Sequence, residues 1–157
     1  MQGLLKTANL QKRKEKMKTI CFDFDGVIVH YDGWKGPDVF GKPKWEVVEA
    51  MQMLKAAGYH IIIWTTRKVT PALKAYLARN KIPYESINSN AHNPPGTSTK
   101  PIYHIIIDDR AIQYRGQKAE KLIRSIKHLI ENGAPICEGE EKGKDGETKP
   151  EVTPAAL

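Results

Sequence analysis

The chain has 157 residues, a formal net charge of +7, and 40% hydrophobic against 27% charged residues. That length suits one domain with a real core, and the balance reads as soluble and globular. No apolar run reaches the roughly 20 residues of a membrane span, and no apolar stretch of signal-peptide type follows the basic N-terminus. Cys21 and Cys137 are the only cysteines. They make no disulfide framework, so a cytoplasmic protein with Cys21 as a small core residue is expected.

The positive charge gathers in "KTANLQKRKEKMK". An anionic partner would suit it, either a phosphorylated substrate or nucleic acid. No aromatic residues interleave with these lysines as a stacking surface would require, so a solvated terminus is the preferred reading. Residues 1–16 are expected to be an extension, helical or disordered, ahead of a catalytic domain over 17–133. The tail, 134–157, has little to bury and is expected to be disordered.

Residues 19–24 read as a strand buried on both faces. A Gly- and Pro-rich loop follows, and Pro43 is expected in the first turn of a helix striped by Val47, Val48, Met51 and Leu54 and stopped by Gly58. "YHIIIWTT" is a second buried strand. Thr70 and Pro71 predict the N-cap and first turn of a short helix with Leu73 and Leu77 inward. "YESIN" is a weaker strand and "YHIIID" a fourth. The last helix is expected over 116–131, with Leu122, Ile123, Ile126, Leu129 and Ile130 on one face. This alternation predicts an α/β fold, a Rossmann-like three-layer α/β/α sandwich with a mainly parallel sheet. Ligands of such sheets sit beyond the C-terminal strand ends, where strand order reverses.

Four strand ends carry chemistry. "FDFDG" places Asp23 and Asp25 where the first strand ends, with Gly26 suited to a turn that brings both into one crevice. Two carboxylates there need a cation, and Mg²⁺ bound through oxygen is the natural one; a salt-bridged or capping pair is the plain alternative. Thr65, followed by Thr66 and Arg67, can hold phosphate oxygens through its hydroxyl and nearby amides, or act only as a cap. Lys100 precedes the fourth strand and can grip a phosphate as a point charge. "IIIDDR" puts Asp108 and Asp109 at another strand end. If that strand lies beside the first, four carboxylates converge, which would be strongly destabilising without a cation.

The ordered set, D-x-D-G, strand-Thr, Lys, strand-Asp-Asp, resembles the haloacid dehalogenase superfamily over about residues 17–131. Within it, "DFDGVIV", "WTTR" and "IDDRAI" look like small phage-type members related to polynucleotide kinase–phosphatase domains. The resemblance implies a Mg²⁺-dependent phosphatase with Asp23 as nucleophile and Asp25 as general acid and then base, its carbonyl also on the metal. It implies that Thr65 and Lys100 hold the phosphoryl group, and that Asp108 and Asp109 position Mg²⁺. An aspartate at position 25 points away from dehalogenation, since a halide needs no proton. Residues 27–42 and 68–99 are too short for a cap domain, so an open site is implied, with His30, Tyr31 and Trp34 on a flap. Tyr31 or Trp34 stacking on a nucleobase is one use of that flap, and packing onto the body is the other.

The expected partner is a phosphorylated small molecule or nucleotide, with nucleic-acid ends as a narrower alternative, no membrane, and oligomeric state open. A non-catalytic phosphate- or nucleotide-binding protein of the same fold is the competing class. A two-component receiver domain would place its Thr after the phosphorylated Asp, opposite to the order here. A D-x-D glycosyltransferase needs a longer chain, and no phosphate-binding Gly-Lys loop of a kinase occurs.

Overall fold

The computed structural model describes residues 18–133, so the expected N-terminal extension and C-terminal tail lie outside the described residues. Four strands, β1 (Thr19–Asp23), β2 (His60–Trp64), β3 (Ser86–Ile87) and β4 (Ile105–Ile107), form one sheet. Their order is β3-β2-β1-β4, and every pairing is parallel. Order reverses at β1, so its C-terminal end and that of β4 border the crevice expected for an α/β sheet.

The strands are short runs of β-branched and aromatic residues whose faces alternate. Ile20 and Phe22 of β1 stand beside Ile61 and Ile63 of β2 in register. Together with Phe24, Val48, Met51, Leu73 and Leu77 they make the core. Those last four come from two helices, α1 (Trp45–Ala56) and α2 (Pro71–Arg79).

Helix α1 presents the expected stripe, with Val48 and Met51 buried and Val47 and Leu54 packed beside them. Its start differs from expectation. Lys44 is the N-cap, and Pro43 instead pairs as a bridge with Val29, so proline ends the flap rather than opening the helix. At the other end, Tyr59 N–H donates to Leu54 O and Gly58 N–H to Lys55 O, which is the Schellman pattern. Helix α2 is capped as the sequence predicts: the Thr70 hydroxyl accepts from Leu73 N–H at 3.1 Å and Pro71 fills the first position.

The opposite face of the sheet carries Thr19, Cys21 and Asp23 of β1 beside His60, Ile62 and Trp64 of β2. Cys21 is fully buried, and burial with the nearby Asp23 and Asp108 pushes its thiol up to about 12, so it is an inert core group. The connection between β3 and β4 reaches this face, with His92 against His60.

Helix α3 (Ala119–Asn132) starts three residues later than expected and buries none of its side chains among the described residues. Its apolar stripe is present, yet Ile123, Ile126 and Ile130 are exposed. No helix of the described residues is long and apolar enough to cross a membrane.

Candidate active site

Asp23 is the last residue of β1, and the chain turns immediately after it. Gly26 N–H donates to Val29 O, and Val29 N–H donates to Phe24 O, closing a tight loop. Gly26 has φ +92°, and any Cβ there would run into the Asp109 carboxylate. Glycine therefore lets the D-x-D turn approach the end of β4. Asp108 is fixed in its own turn, its Oδ1 accepting from Arg110 N–H at 2.7 Å.

Three carboxylates converge as a result. Asp23, Asp108 and Asp109 each bring one oxygen within 4.8 Å of the others. Burial, then the charges of Asp108 and Asp109, push the Asp23 carboxyl up to about 7 from its ordinary 3.8, with a smaller push from Asp25. Asp109 Oδ1 is buried without a hydrogen-bond partner. An all-oxygen donor set with an orphaned oxygen and mutual repulsion fits a hard divalent cation such as Mg²⁺.

The folded protein holds the Asp23 proton more tightly than the unfolded chain, so it binds more protons between pH 3.8 and about 7. Without metal, stability from this group is complete below that window and lost as pH rises through about 7. We expect the metal-free melting temperature to fall over this range, and to fall less with Mg²⁺, which competes with the proton. Thermal scans of the wild type against Asp23→Asn isolate the effect; matching pH slopes would contradict it.

Asp25 does not join this cluster. The structure corrects the four-carboxylate expectation here, because its carboxylate faces Arg67 instead. Arg67 Nε and a terminal nitrogen donate to the two Asp25 oxygens at 2.8 and 2.9 Å. The other terminal nitrogen donates to the carbonyls of Gly36 and Pro37, both at 3.1 Å. Arg67 is 4% exposed, and its guanidinium lies 4.8 Å from the Trp34 ring centroid and 5.3 Å from that of Phe40. The expected phosphate contact of Arg67 is thus replaced by a strut joining Asp25 to the flap, residues 27–42. The flap is further tied by Tyr76 O–H to Gly41 O at 2.6 Å and Thr70 O–H to Asp38 at 2.8 Å. Gly41 passes so close to the His30 carbonyl that no Cβ fits.

Thr65, buried just beyond β2, is clamped by a residue the sequence reading missed. Asn88 accepts from Thr65 N–H at 2.8 Å and donates back to Thr65 O at 2.6 Å. Asn88 has φ +56°, a left-handed conformation asparagine tolerates well, and this is the signal that marks it. The Thr65 hydroxyl accepts from Arg67 N–H at 3.1 Å.

Asp23, Asp25, Tyr31, Trp34, Trp64, Thr65, Thr66, Asp108 and Arg110 surround one cleft of about 310 Å³. Of the residues singled out from the sequence, Asp23, Asp25, Thr65, Thr66 and Asp108 line this cleft. Lys100 is exposed in the β3–β4 connection and does not line the cleft. Two other cations border the acidic residues. Arg110 lines the cleft, and Lys44 Nζ donates to Gly26 O at 2.5 Å beside Asp109. Arg110 adjoins the acidic pair in "DDR", so its position was readable; Lys44 had no such signal.

No protein-family model and no curated protein matches the chain. Among solved structures, it is similar to a conserved protein from Bacteroides thetaiotaomicron, at 23% identity and TM-score 0.51. That match covers 74% of this chain and 92% of the other. The likeness is one of fold. It agrees with the parallel α/β sheet. A chain of the Pnkp1/Rnl/Hen1 RNA repair complex aligns at 18% identity and TM-score 0.46, over 70% of this chain and 40% of that one. A protein from Vibrio cholerae aligns at 20% and 0.41, over 71% of this chain and 98% of that one.

Proposed function

We propose that the cleft hydrolyses phosphomonoesters by phosphoryl transfer to Asp23. The convergence of Asp23, Asp108 and Asp109 on one point, with Asp109 Oδ1 left unpaired, carries this reading. The haloacid dehalogenase pattern of the sequence supports it. Asp23, Asp108 and Asp109 would hold Mg²⁺, which when bound offsets the repulsion between a carboxylate and a phosphate.

Asp23 attacks phosphorus, and the ester P–O bond breaks to give an aspartyl-phosphate. Asp25 gives a proton to the leaving oxygen, then takes one from the water that attacks phosphorus in the second step, where the bond to Asp23 breaks, inorganic phosphate leaves and the Asp23 carboxylate is restored. To do so it must turn one oxygen out of its pairing with Arg67. Thr65, Thr66 and neighbouring amides bind the phosphoryl oxygens, and Arg110 supplies charge at the cleft. Tyr31 and Trp34 on the cleft wall favour a leaving group with a flat ring, such as a nucleotide.

The test is phosphate release from p-nitrophenyl phosphate with Mg²⁺ and with chelator. Release that requires Mg²⁺ is expected. Release indifferent to chelator would overturn the reading, and binding of phosphate without turnover would favour the non-catalytic alternative.

A further inference from the structure

Three histidines gather at the end of the sheet remote from the acidic cleft. His60 opens β2 in register with Thr19 of β1. His104 flanks Thr19 on the other side, its N–H donating to Thr19 O at 2.9 Å and its Nδ1 accepting from Thr19 N–H at 3.0 Å. His92 comes from the β3–β4 connection, its ring centroid 5.1 Å from that of His60 with planes at 71°. The His60 residue is 7% exposed, and its Nε2 is buried with no hydrogen-bond partner. Besides Asp109 Oδ1, no other buried side-chain nitrogen or oxygen among the described residues is left so.

We propose that His60 and His92 form a second metal site, a two-histidine clip for a borderline transition metal such as Zn²⁺, separate from the acidic cleft. An orphaned buried ring nitrogen is costly and is commonly explained by an ion or water. Zinc sits about 2.0–2.1 Å from each imidazole nitrogen, so two rings on one tetrahedral ion have centroids about 5 Å apart. The observed 5.1 Å has room for that arrangement, and it is also the usual spacing of an edge-to-face ring pair, so the orphaned Nε2 carries the inference.

Burial, with His92 and Lys55, lowers the His60 pKa, which keeps its imidazole in the neutral form a metal requires. The Lys55 charge is offset by its ion pair with Glu85. His104 does not take part, because its Nδ1 lone pair is used by Thr19 N–H and its other nitrogen then carries the proton. His92 is exposed, so water completes the coordination. Nitrogen donors select a different ion from the oxygen donors of the cleft. A metal here ties the β3–β4 connection to β2, along the segment that leads into Asp108 and Asp109.

Zn²⁺ titration of the full chain by calorimetry, in saturating Mg²⁺, tests this. One bound Zn²⁺ per chain is expected, weakened about tenfold or more in His92→Ala and in His60→Ala, and retained in Asp108→Asn. His92 is on the surface, so its variant keeps the test decisive if His60→Ala fails to fold. No binding, unchanged binding in His92→Ala, or loss only in Asp108→Asn would overturn the site. None of these outcomes bears on phosphatase activity.

Discussion

Arg67→Ala is expected to cost about 3–5 kcal/mol of stability and to remove nearly all activity. Its side chain is 2% exposed and that of Asp25 18%, so alanine leaves a largely buried carboxylate without its cation. The same change frees the carbonyls of Gly36 and Pro37 and removes the cation under Trp34. Arg67→Lys keeps the charge but loses the planar fork that meets both Asp25 oxygens and two carbonyls at once. It should therefore retain more stability than alanine while still losing kcat. Denaturant titrations and steady-state kinetics of both variants give the comparison. An alanine variant as stable and active as the wild type would show that the strut is dispensable. Because Arg67 holds Asp25 and the flap together, movement of the flap and release of Asp25 are linked.

Asp23→Asn is expected to act in opposite directions on function and stability. Turnover should fall by at least about three orders of magnitude, as for loss of a nucleophile elsewhere. The metal-free protein should melt at a higher temperature above pH 7, because one of three mutually repelling carboxylates is gone. Mg²⁺ should then stabilise the variant less than it stabilises the wild type. Stability exchanged for function in this way is usual where like charges are held together to bind a cation or substrate. A variant melting below the wild type without metal, or one with undiminished turnover, would contradict the assignment.

Much of the site was legible because the chemistry lies at strand ends. Apolar runs fixed β1, β2 and β4, and a polar residue closes or directly follows each, Asp23, Thr65 and Asp108, which the parallel sheet must carry to one edge. Thr70 and Pro71 announced α2 through local bonds alone. The role of Arg67 was not legible, since its pairing with Asp25 spans 42 residues and depends on how the flap docks. The side that Asp25 faces depends on the turn at Gly26, which alternation along a strand does not describe. The place of Lys100 before the fourth strand predicts a phosphate contact, whereas the structure leaves it outside the cleft and sets Lys44 beside Gly26. The stripe of α3 predicted burial, yet periodicity states only which residues share a face. It does not supply a surface to cover that face, and among the described residues Leu122 and Leu129 are half-buried while Ile123, Ile126 and Ile130 stay exposed.

Phosphoryl transfer to Asp23 is tested by finding where the phosphoryl group goes. The full chain is incubated with a phosphomonoester labelled in its phosphate, with Mg²⁺, quenched in acid, and mapped by peptide. A hydroxylamine-labile phosphoryl group is expected on Asp23, absent without Mg²⁺ and absent in Asp23→Asn. Steady turnover by the Asp23→Asn variant, or label carried by any other residue, would contradict it.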